Sequence, residues 1–416
     1  MLTRANHKLL SEVGPGTTMG NLLRRSWVPA LLAEELPEPG GAPVRVSLLG
    51  EKLVAYRGLD GRVGLLGEHC SHRGASLYFG RIEAEGLRCA YHGWTYTPDG
   101  RCALQPNMPK SFKERITHAA YPCEQRAGVV WAWMGPAKAK PALPNLEYLG
   151  IADSQVMVGK RLQRCNWMQA MDGDFDTSHV PYLHEGLMVK RANSVIPTPY
   201  LDPQPTSCGL VIGARRDAGP LHYYWRVTQW MMPWFTSIPA WPGDTPLAGH
   251  AWVPADDEHT WVFGFHWHPA RAIDEAERES LRVRADGIYT DIEAGSFRPV
   301  RSESSDYADP ASLINKDRMA RMKHFQDQDI AITESMGPMF DRTKENLGPS
   351  DIVIVRIRNR LLAAAKALQQ GTAPKSKAED WRGRPYSVRL PRTVDDWRAA
   401  TAARISGEPG TFAVSD

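Results

Sequence analysis

Between Glu68 and Trp94 the chain reads EHCSHRGASLYFGRIEAEGLRCAYHGW, and two metal-ligand pairs in it limit what the surrounding residues can fold into. Cys70 and His72 form a C-x-H pair; after 16 intervening residues Cys89 and His92 form a C-x-x-H pair. Each pair can ligate one atom, so the chain has to bring two loops together. Two thiolates and two imidazoles suit a two-iron, two-sulfur cluster, with the cysteines on one iron and the histidines on the other. Imidazoles in place of thiolates raise the reduction potential above that of an all-cysteine ferredoxin, so such a site can accept electrons from one. Gly74 and Gly93 let both loops turn tightly. Zinc is the competing reading, but C-x-H is closer than the cysteine spacing usual for that metal. His69 reads as an exposed or packing residue. Cys102 and Cys123 have no histidine at ligand spacing and read as ordinary buried thiols.

The flanking pattern fits loops carried on a small β domain. Alternating runs VRVSLLG, KLVAYRG and RVGLL, with LDG as a turn, predict strands joined by hairpins. Helical spacing appears earlier, in HKLLSEV and MGNLLRRSW. After GVVWAWMG the proline-rich PAKAKPALPNL reads as a linker. The expected division is an N-terminal helical segment 1–25, a small all-β domain 26–140, a larger domain 141–390 and a C-terminal tail 391–416, with residues 372–416 wrapping the surface. In the larger domain SQVMVGKRL, LVIGARRD, HYYWRVTQWMMPWF, GHAWVP and TWVFGFHWHP read as strands. Helices are expected at 273–285, near 311–336 and at 350–371. The fold class is therefore α+β, an all-β domain followed by an α+β domain with an antiparallel sheet and helices.

Composition removes several classes of function. The 416 residues carry 50 Lys and Arg against 47 Asp and Glu, with no basic block, so nucleic acid is not an expected partner. No apolar run approaches the roughly 20 residues of a membrane span, and the N-terminus lacks the apolar core of a signal peptide. A cytoplasmic location is the expectation. Six cysteines are too sparse for a disulfide scaffold.

A second stretch, CNWMQAMDGDFDTSHVPYLH from Cys165 to His184, holds three aspartates, two histidines and a proline. In one regular helix His179 and His184 would lie roughly 140° apart around the axis and could not share a metal. Pro181 is unsuited to a helix interior, and a break there could swing His184 back toward His179. Asp176 lies three residues before His179, on the same face; helix capping is its plain alternative. Capping and solvation explain Asp172 and Asp174 as well as function does. Two histidines leave a metal under-coordinated, and FQDQDIAITESMGPMFDR is the best source of a carboxylate. Two imidazoles and one carboxylate give the facial triad of a mononuclear ferrous site with positions open for oxygen.

The two segments together resemble the Rieske non-haem iron oxygenases over nearly the whole chain. CSHRG and CAYHGW look like the Rieske signature, and the residues around the ligands lack the bracing cysteines of the respiratory type. CNWMQAMDGDFDTSHVPYLH matches the family's D-x-x-H-x4-H motif; RCNWMQA, QDQDIAITESMGP and DRTKENLGPSD resemble the phthalate 4,5-dioxygenase type. The resemblance implies His179, His184 and Asp329 as iron ligands, with Asp327 the alternative carboxylate. It implies Asp176 as the catalytic bridge that links a cluster histidine of one subunit to an iron histidine of its neighbour, here His92 to Asp176 to His179. It places Asn166 and Gln169 near the iron, and a Bet v1-like or START-like catalytic domain in a homotrimer.

The implied cofactors are a [2Fe-2S] Rieske cluster and mononuclear Fe(II), with O2 as co-substrate. The chain has no G-x-G-x-x-G and no C-x4-C-x2-C run, so a separate NAD(P)H-dependent reductase is the expected electron donor. The implied substrate is an aromatic acid, with Arg215, Arg216 and Arg226 as candidates for its carboxylate. Ring dihydroxylation, O-demethylation and aryl-ether cleavage all begin from the same iron chemistry. A Rieske electron carrier without oxygenase activity is the reading from another class.

Overall fold

The short alternating runs become short antiparallel strands in the computed structural model, which describes residues 2–106, 108–184, 198–239, 243–283, 290–293, 295–303, 307, 322, 324–375, 381–408 and 410–414. The chain divides into two compact units, one of residues 13–143 and one of residues 1–12 with 144–416. No described helix is long and apolar enough to cross a membrane.

In the first unit β1 (Trp27–Leu32), β10 (Cys123–Arg126) and β11 (Val129–Trp133) make one sheet, with β11 central. A second sheet orders β2 (Val44–Leu48), β3 (Glu51–Arg57), β4 (Val63–Gly67) and β9 (Ala120–Tyr121). A third orders β5 (Arg81–Glu83), β6 (Gly86–Arg88), β7 (Thr95–Tyr96) and β8 (Cys102–Leu104). Val54, Tyr56 and Leu66 from the second sheet pack with Leu87, Tyr96 and Cys102 from the third. Cys70, Cys89 and Trp94 belong to the same core, so the two ligand loops are rooted in buried apolar contacts. Each fully buried leucine there stabilises the unit by about 2 kcal/mol.

The second unit is built on an eight-stranded antiparallel sheet. Its strands are β12 (Val156–Gln163), β13 (Tyr200–Pro205), β14 (Gly209–Asp217), β15 (His222–Met231), β16 (Phe235–Ile238), β17 (Leu247–Pro254), β18 (Thr260–Trp267) and β19 (Tyr386–Pro391). Their order is β12-β18-β17-β16-β15-β14-β13, and β19 pairs with the half of β15 that β16 leaves open. Side chains alternate between the two faces. One face meets helix α3 (Trp167–Phe175): Asp174 reaches His250 and Trp252. The other face meets the C-terminal helix α8 (Trp397–Ile405), with Trp397 stacked on Trp225 at 5.2 Å.

Two expected boundaries move. Helix α1 (Arg4–Ser11) belongs to the second unit, where the Trp167 indole donates to Leu10 O at 3.1 Å, while α2 (Thr18–Leu23) belongs to the first. Residues past 391 do not merely wrap the surface, because Trp397 is buried and donates to Asp202 at 2.7 Å. Helix α5 (Glu275–Val283) lies in the expected range 273–285. Helix α6 (Phe325–Ser335) is the described part of the helix expected near 311–336; residues 308–321 lie outside the described residues. Helix α7 (Ile352–Gln369) follows, and its Arg360 donates to Thr206 O and Ser207 O between β13 and β14 and to Gly209 O at the start of β14.

Candidate metal centres

The two cysteine loops share one backbone design. Cys70 N donates to Ala75 O and Gly74 N to Cys70 O; Cys89 N donates to Trp94 O and Gly93 N to Cys89 O. Each loop closes on a glycine four residues after its cysteine, at φ +74° for Gly74 and +72° for Gly93, where a side chain would be strained. Both cysteines are buried, and the rings of His72 and His92 are 4.5 Å apart. Burial pushes the Cys70 thiol up, so a bound cation is what would hold it as a thiolate. Among the described residues, the buried Nδ1 of His72 has no hydrogen-bond partner, as a ligand nitrogen awaiting a metal requires. This donor set fits a Rieske cluster.

Two neighbours of the loops carried no sequence signal. The Tyr96 hydroxyl lies 3.1 Å from Cys70 Sγ. His118 spans Ser71 Oγ at 2.7 Å and Gly67 O at 2.8 Å, and its ring stacks on Tyr96 at 4.4 Å. Their spacing from the ligands is irregular, and only the fold brings them near. His69 is exposed and bonds Gly74 O at 3.1 Å. Cys102 and Cys123 point their thiols at backbone carbonyls of Leu104 and Tyr121.

In the second unit the ligand atoms of His179, His184 and Asp329 all lie within 4.8 Å of one another. Asp329 Oδ1 is 3.6 Å from His179 Nε2 and 3.3 Å from His184 Nε2. The histidines flank a single helical turn, α4 (Val180–Leu183), as its N- and C-caps. The chain breaks before Pro181 rather than at it: α3 ends at Phe175, and Pro181 sits in the first turn of α4, where its missing N–H leaves no bond unmade. Burial alone would lower the pKa of His184; the hydrogen bond and charge of Asp329 outweigh it and raise the value. Gln328 Oε1 lies 2.6 Å from His184 Nδ1, a contact sequence reasoning missed. Asp327 points elsewhere, to Arg301 at 2.8 Å and to Thr290, so it does not join the histidines.

The other polar residues of this motif have structural partners. Asp172 and Asp174 lie late in α3, where negative charge opposes the helix dipole, so each needs a strong compensating contact. Asp172 pairs with Arg358 of α7 at 2.6 Å. Asp174 accepts from His250 Nδ1 at 2.8 Å, from Trp252 Nε1 at 2.7 Å and from Thr236. Asp176 caps the end of α3, accepts from Ser178 N at 2.8 Å, and lies 3.9 Å from His179 Nδ1.

Asn166 caps the start of α3 and donates to Ser11 O and Asp257 O. Gln169 donates to Thr333 O and Gly337 O. Both amides thus spend their donors on backbone rather than on the three ligands. Arg215 departs from expectation: alternation turns it to the α8 face of the sheet, where its guanidinium lies over Tyr200 and Tyr223. Arg216 and Arg226 face the α3 side; Arg216 donates to Thr177 O at 2.8 Å, and Arg226 to Pro239 O at 3.4 Å.

The family description "Rieske [2Fe-2S] domain" matches residues 26–122, and "LigXa C-terminal domain like" matches residues 132–413. The 3-chlorobenzoate-3,4-dioxygenase oxygenase subunit of Comamonas testosteroni is 38% identical, over 98% of this chain and 99% of its own length. The chain belongs to the Rieske non-haem iron oxygenases. Its cofactors are accordingly a [2Fe-2S] Rieske cluster and mononuclear Fe(II), and its co-substrate is O2. The phthalate 4,5-dioxygenase oxygenase subunit of Pseudomonas putida is also similar to this Rieske oxygenase component, 33% identical over 98% of this chain and 99% of that one. Among solved structures, the terminal oxygenase of carbazole 1,9a-dioxygenase from Novosphingobium sp. KA1 shares the fold, with a TM-score of 0.60, 20% identity and coverage of 87% of this chain and 96% of that one.

Proposed function

We propose that this chain is the oxygenase component of a multicomponent system that dihydroxylates the ring of an aromatic acid. The observation that carries the reading is the gathering of His179, His184 and Asp329 in a chain that also holds the paired cysteine loops. Cys70 and Cys89 would hold one iron of the cluster, His72 and His92 the other. His179, His184 and Asp329 would hold the mononuclear Fe(II) on one face. When bound, that iron supplies reductive activation of O2, with electrons delivered one at a time. Around it the chain contributes orientation: Gln328 accepts from His184 Nδ1, which leaves Nε2 unprotonated toward the ligand position.

The substrate class rests on the relatives, both named for acids on a benzene ring. The same likeness supports a phthalate-type enzyme working as a homotrimer with a separate NAD(P)H-dependent reductase. It supports Asp176 as the bridge between His179 and a neighbouring subunit's His92. That likeness, rather than the open strand order of the sheet, is also what supports a Bet v1-like or START-like domain.

Two measurements test the reading. Metal analysis after anaerobic ferrous loading should find about three irons and two labile sulfides per chain; two irons would reduce the protein to an electron carrier. Aerobic turnover of benzoic, phthalic and methoxylated benzoic acids with a surrogate reductase should yield a ring diol. Formaldehyde without diol would replace dihydroxylation by O-demethylation.

A further inference from the structure

Arg161 sits in the middle of β12 and is 6% exposed, yet its Nε and Nη2 have no hydrogen-bond partner among the described residues. A buried guanidinium with idle donors is costly unless something fills them. Nε and Nη2 share one edge of the group, and their two parallel N–H bonds match the two oxygens of a carboxylate. The charges of Asp329, Asp174 and Asp327 act on Arg161, but none of them is hydrogen-bonded to its Nε or Nη2. Each is already engaged: Asp329 by the histidines, Asp174 by His250 and Trp252, Asp327 by Arg301. No acid among the described residues fills that edge, which matches an incoming carboxylate.

The surroundings suit a flat ring. Gln163, two residues along β12 and on the same face, donates to Thr333 of α6, the helix that carries Asp329. Gly159 faces the same way and pairs with Gly264 of β18, which pairs in turn with His250 of β17. Gly159 and Gly264 therefore put no side chain of their own between Arg161 and His250 on this face. Trp252 lies beside both, with the Arg161 guanidinium 5.8 Å from its ring and the His250 ring 5.2 Å away. Arg216 is also buried with idle nitrogens, but it spends Nη2 on Thr177, and its free Nε and Nη1 do not share an edge.

We infer that the Nε–Nη2 edge of Arg161 anchors the carboxylate of the aromatic substrate and holds the ring over Gly159 and Gly264, beside Asp329. The inference rests on the oxygenase reading for its substrate class. Its test is anaerobic binding, which is separable from turnover: 3-chlorobenzoate, phthalate and benzoate are titrated into the iron-loaded protein, each against its amide. At least one acid should bind roughly tenfold or more tightly than its amide, as a charge-assisted pair requires. Arg161→Gln should erase that preference, and Arg161→Lys, which cannot present two parallel donors, should lose most of it while iron content stays unchanged.

Several results would overturn the proposal. They are the absence of an acid preference in the wild type, an unaltered preference in Arg161→Lys, or a preference erased by Arg226→Gln rather than by Arg161→Gln. Loss of iron in both Arg161 variants with the preference retained would make Arg161 a counter-ion of Asp329 instead. Acid binding without oxygen consumption when reductase is added would leave the anchor standing and remove the oxygenase reading.

Discussion

Gln328 Oε1 lies 2.6 Å from Nδ1 of His184, and this contact decides which ring nitrogen is left for a metal. Gln328 Nε2 donates to Met322 O at 3.2 Å, so the amide is oriented with its oxygen toward the ring. The imidazole then carries its proton on Nδ1 and its lone pair on Nε2, 3.3 Å from Asp329. Removing such a support weakens metal binding by roughly 10- to 100-fold. Gln328→Leu should therefore lower Fe(II) affinity by about that factor, with the visible spectrum of the cluster unaltered. A chelator competition series on both proteins measures it, and equal affinities would show that the ring needs no such support.

Asp174 is the buried acid with the most donors in this motif, and it ties α3 to the sheet. Burial pushes its carboxyl up, but the charge and hydrogen bond of His250, with the hydrogen bonds of Thr236 and Trp252, bring it below its ordinary value. A depressed folded pKa stabilises the fold fully above the unfolded value of 3.8 and is lost as pH falls through the lower folded value. Asp174→Ala should destabilise the protein by about 3–5 kcal/mol at neutral pH, because His250 and Trp252 lose a buried acceptor. Denaturant melts of both proteins should differ most near neutrality and converge below pH 3.8. A gap that is constant with pH would assign the loss to packing alone.

Much of this was legible because ligand chemistry is written locally. Cys70, His72, Cys89 and His92 announce themselves by spacing, and the glycines by the left-handed turns that their loops need. What was illegible depends on faces and tertiary neighbours. Arg215 lies on the opposite face from Arg216 and Arg226 because adjacent strand residues point to opposite sides, so a choice among 215, 216 and 226 needs the sheet to be oriented first. Asp172 and Asp174 were undecidable because their partners, Arg358, His250 and Trp252, lie far along the chain. The family resemblance favoured Asp329 over Asp327, and the physical reason, that Arg301 and Thr290 claim Asp327, lies in the tertiary structure. Pro181 gave the right local event for the wrong reason, since it starts a helical turn rather than breaking one.

Tyr96 sets a prediction for the other unit. Its hydroxyl is 3.1 Å from Cys70 Sγ, and burial raises its own pKa well above the ordinary tyrosine value, so it stays a donor. A hydrogen bond to a thiolate ligand stabilises the more negative, reduced state and raises the potential. Loss of about 1 kcal/mol from such a bond corresponds to roughly 40 mV in a one-electron couple. Tyr96→Phe should lower the reduction potential by about that much without loss of iron or sulfide. Voltammetry of the two proteins decides it, and an unmoved potential would mean that the hydroxyl bonds elsewhere.

Asp176 is the residue whose proposed role reaches beyond one chain. Asp176→Asn is the sharpest probe, because an asparagine oxygen can still accept from Ser178 N and keep the turn that places His179. What it loses is the charge that would steady a protonated nitrogen on His179, 3.9 Å away, and on a neighbouring subunit's His92. The variant should therefore retain both metal contents, the oligomeric state and the cluster spectrum. In a single-turnover experiment with pre-reduced protein and no reductase, product formed per cluster oxidised should fall by at least roughly tenfold, the loss expected when a supporting carboxylate is removed. Unchanged yield with intact metals would confine Asp176 to capping α3, and loss of the mononuclear iron would make it part of the ligand turn itself.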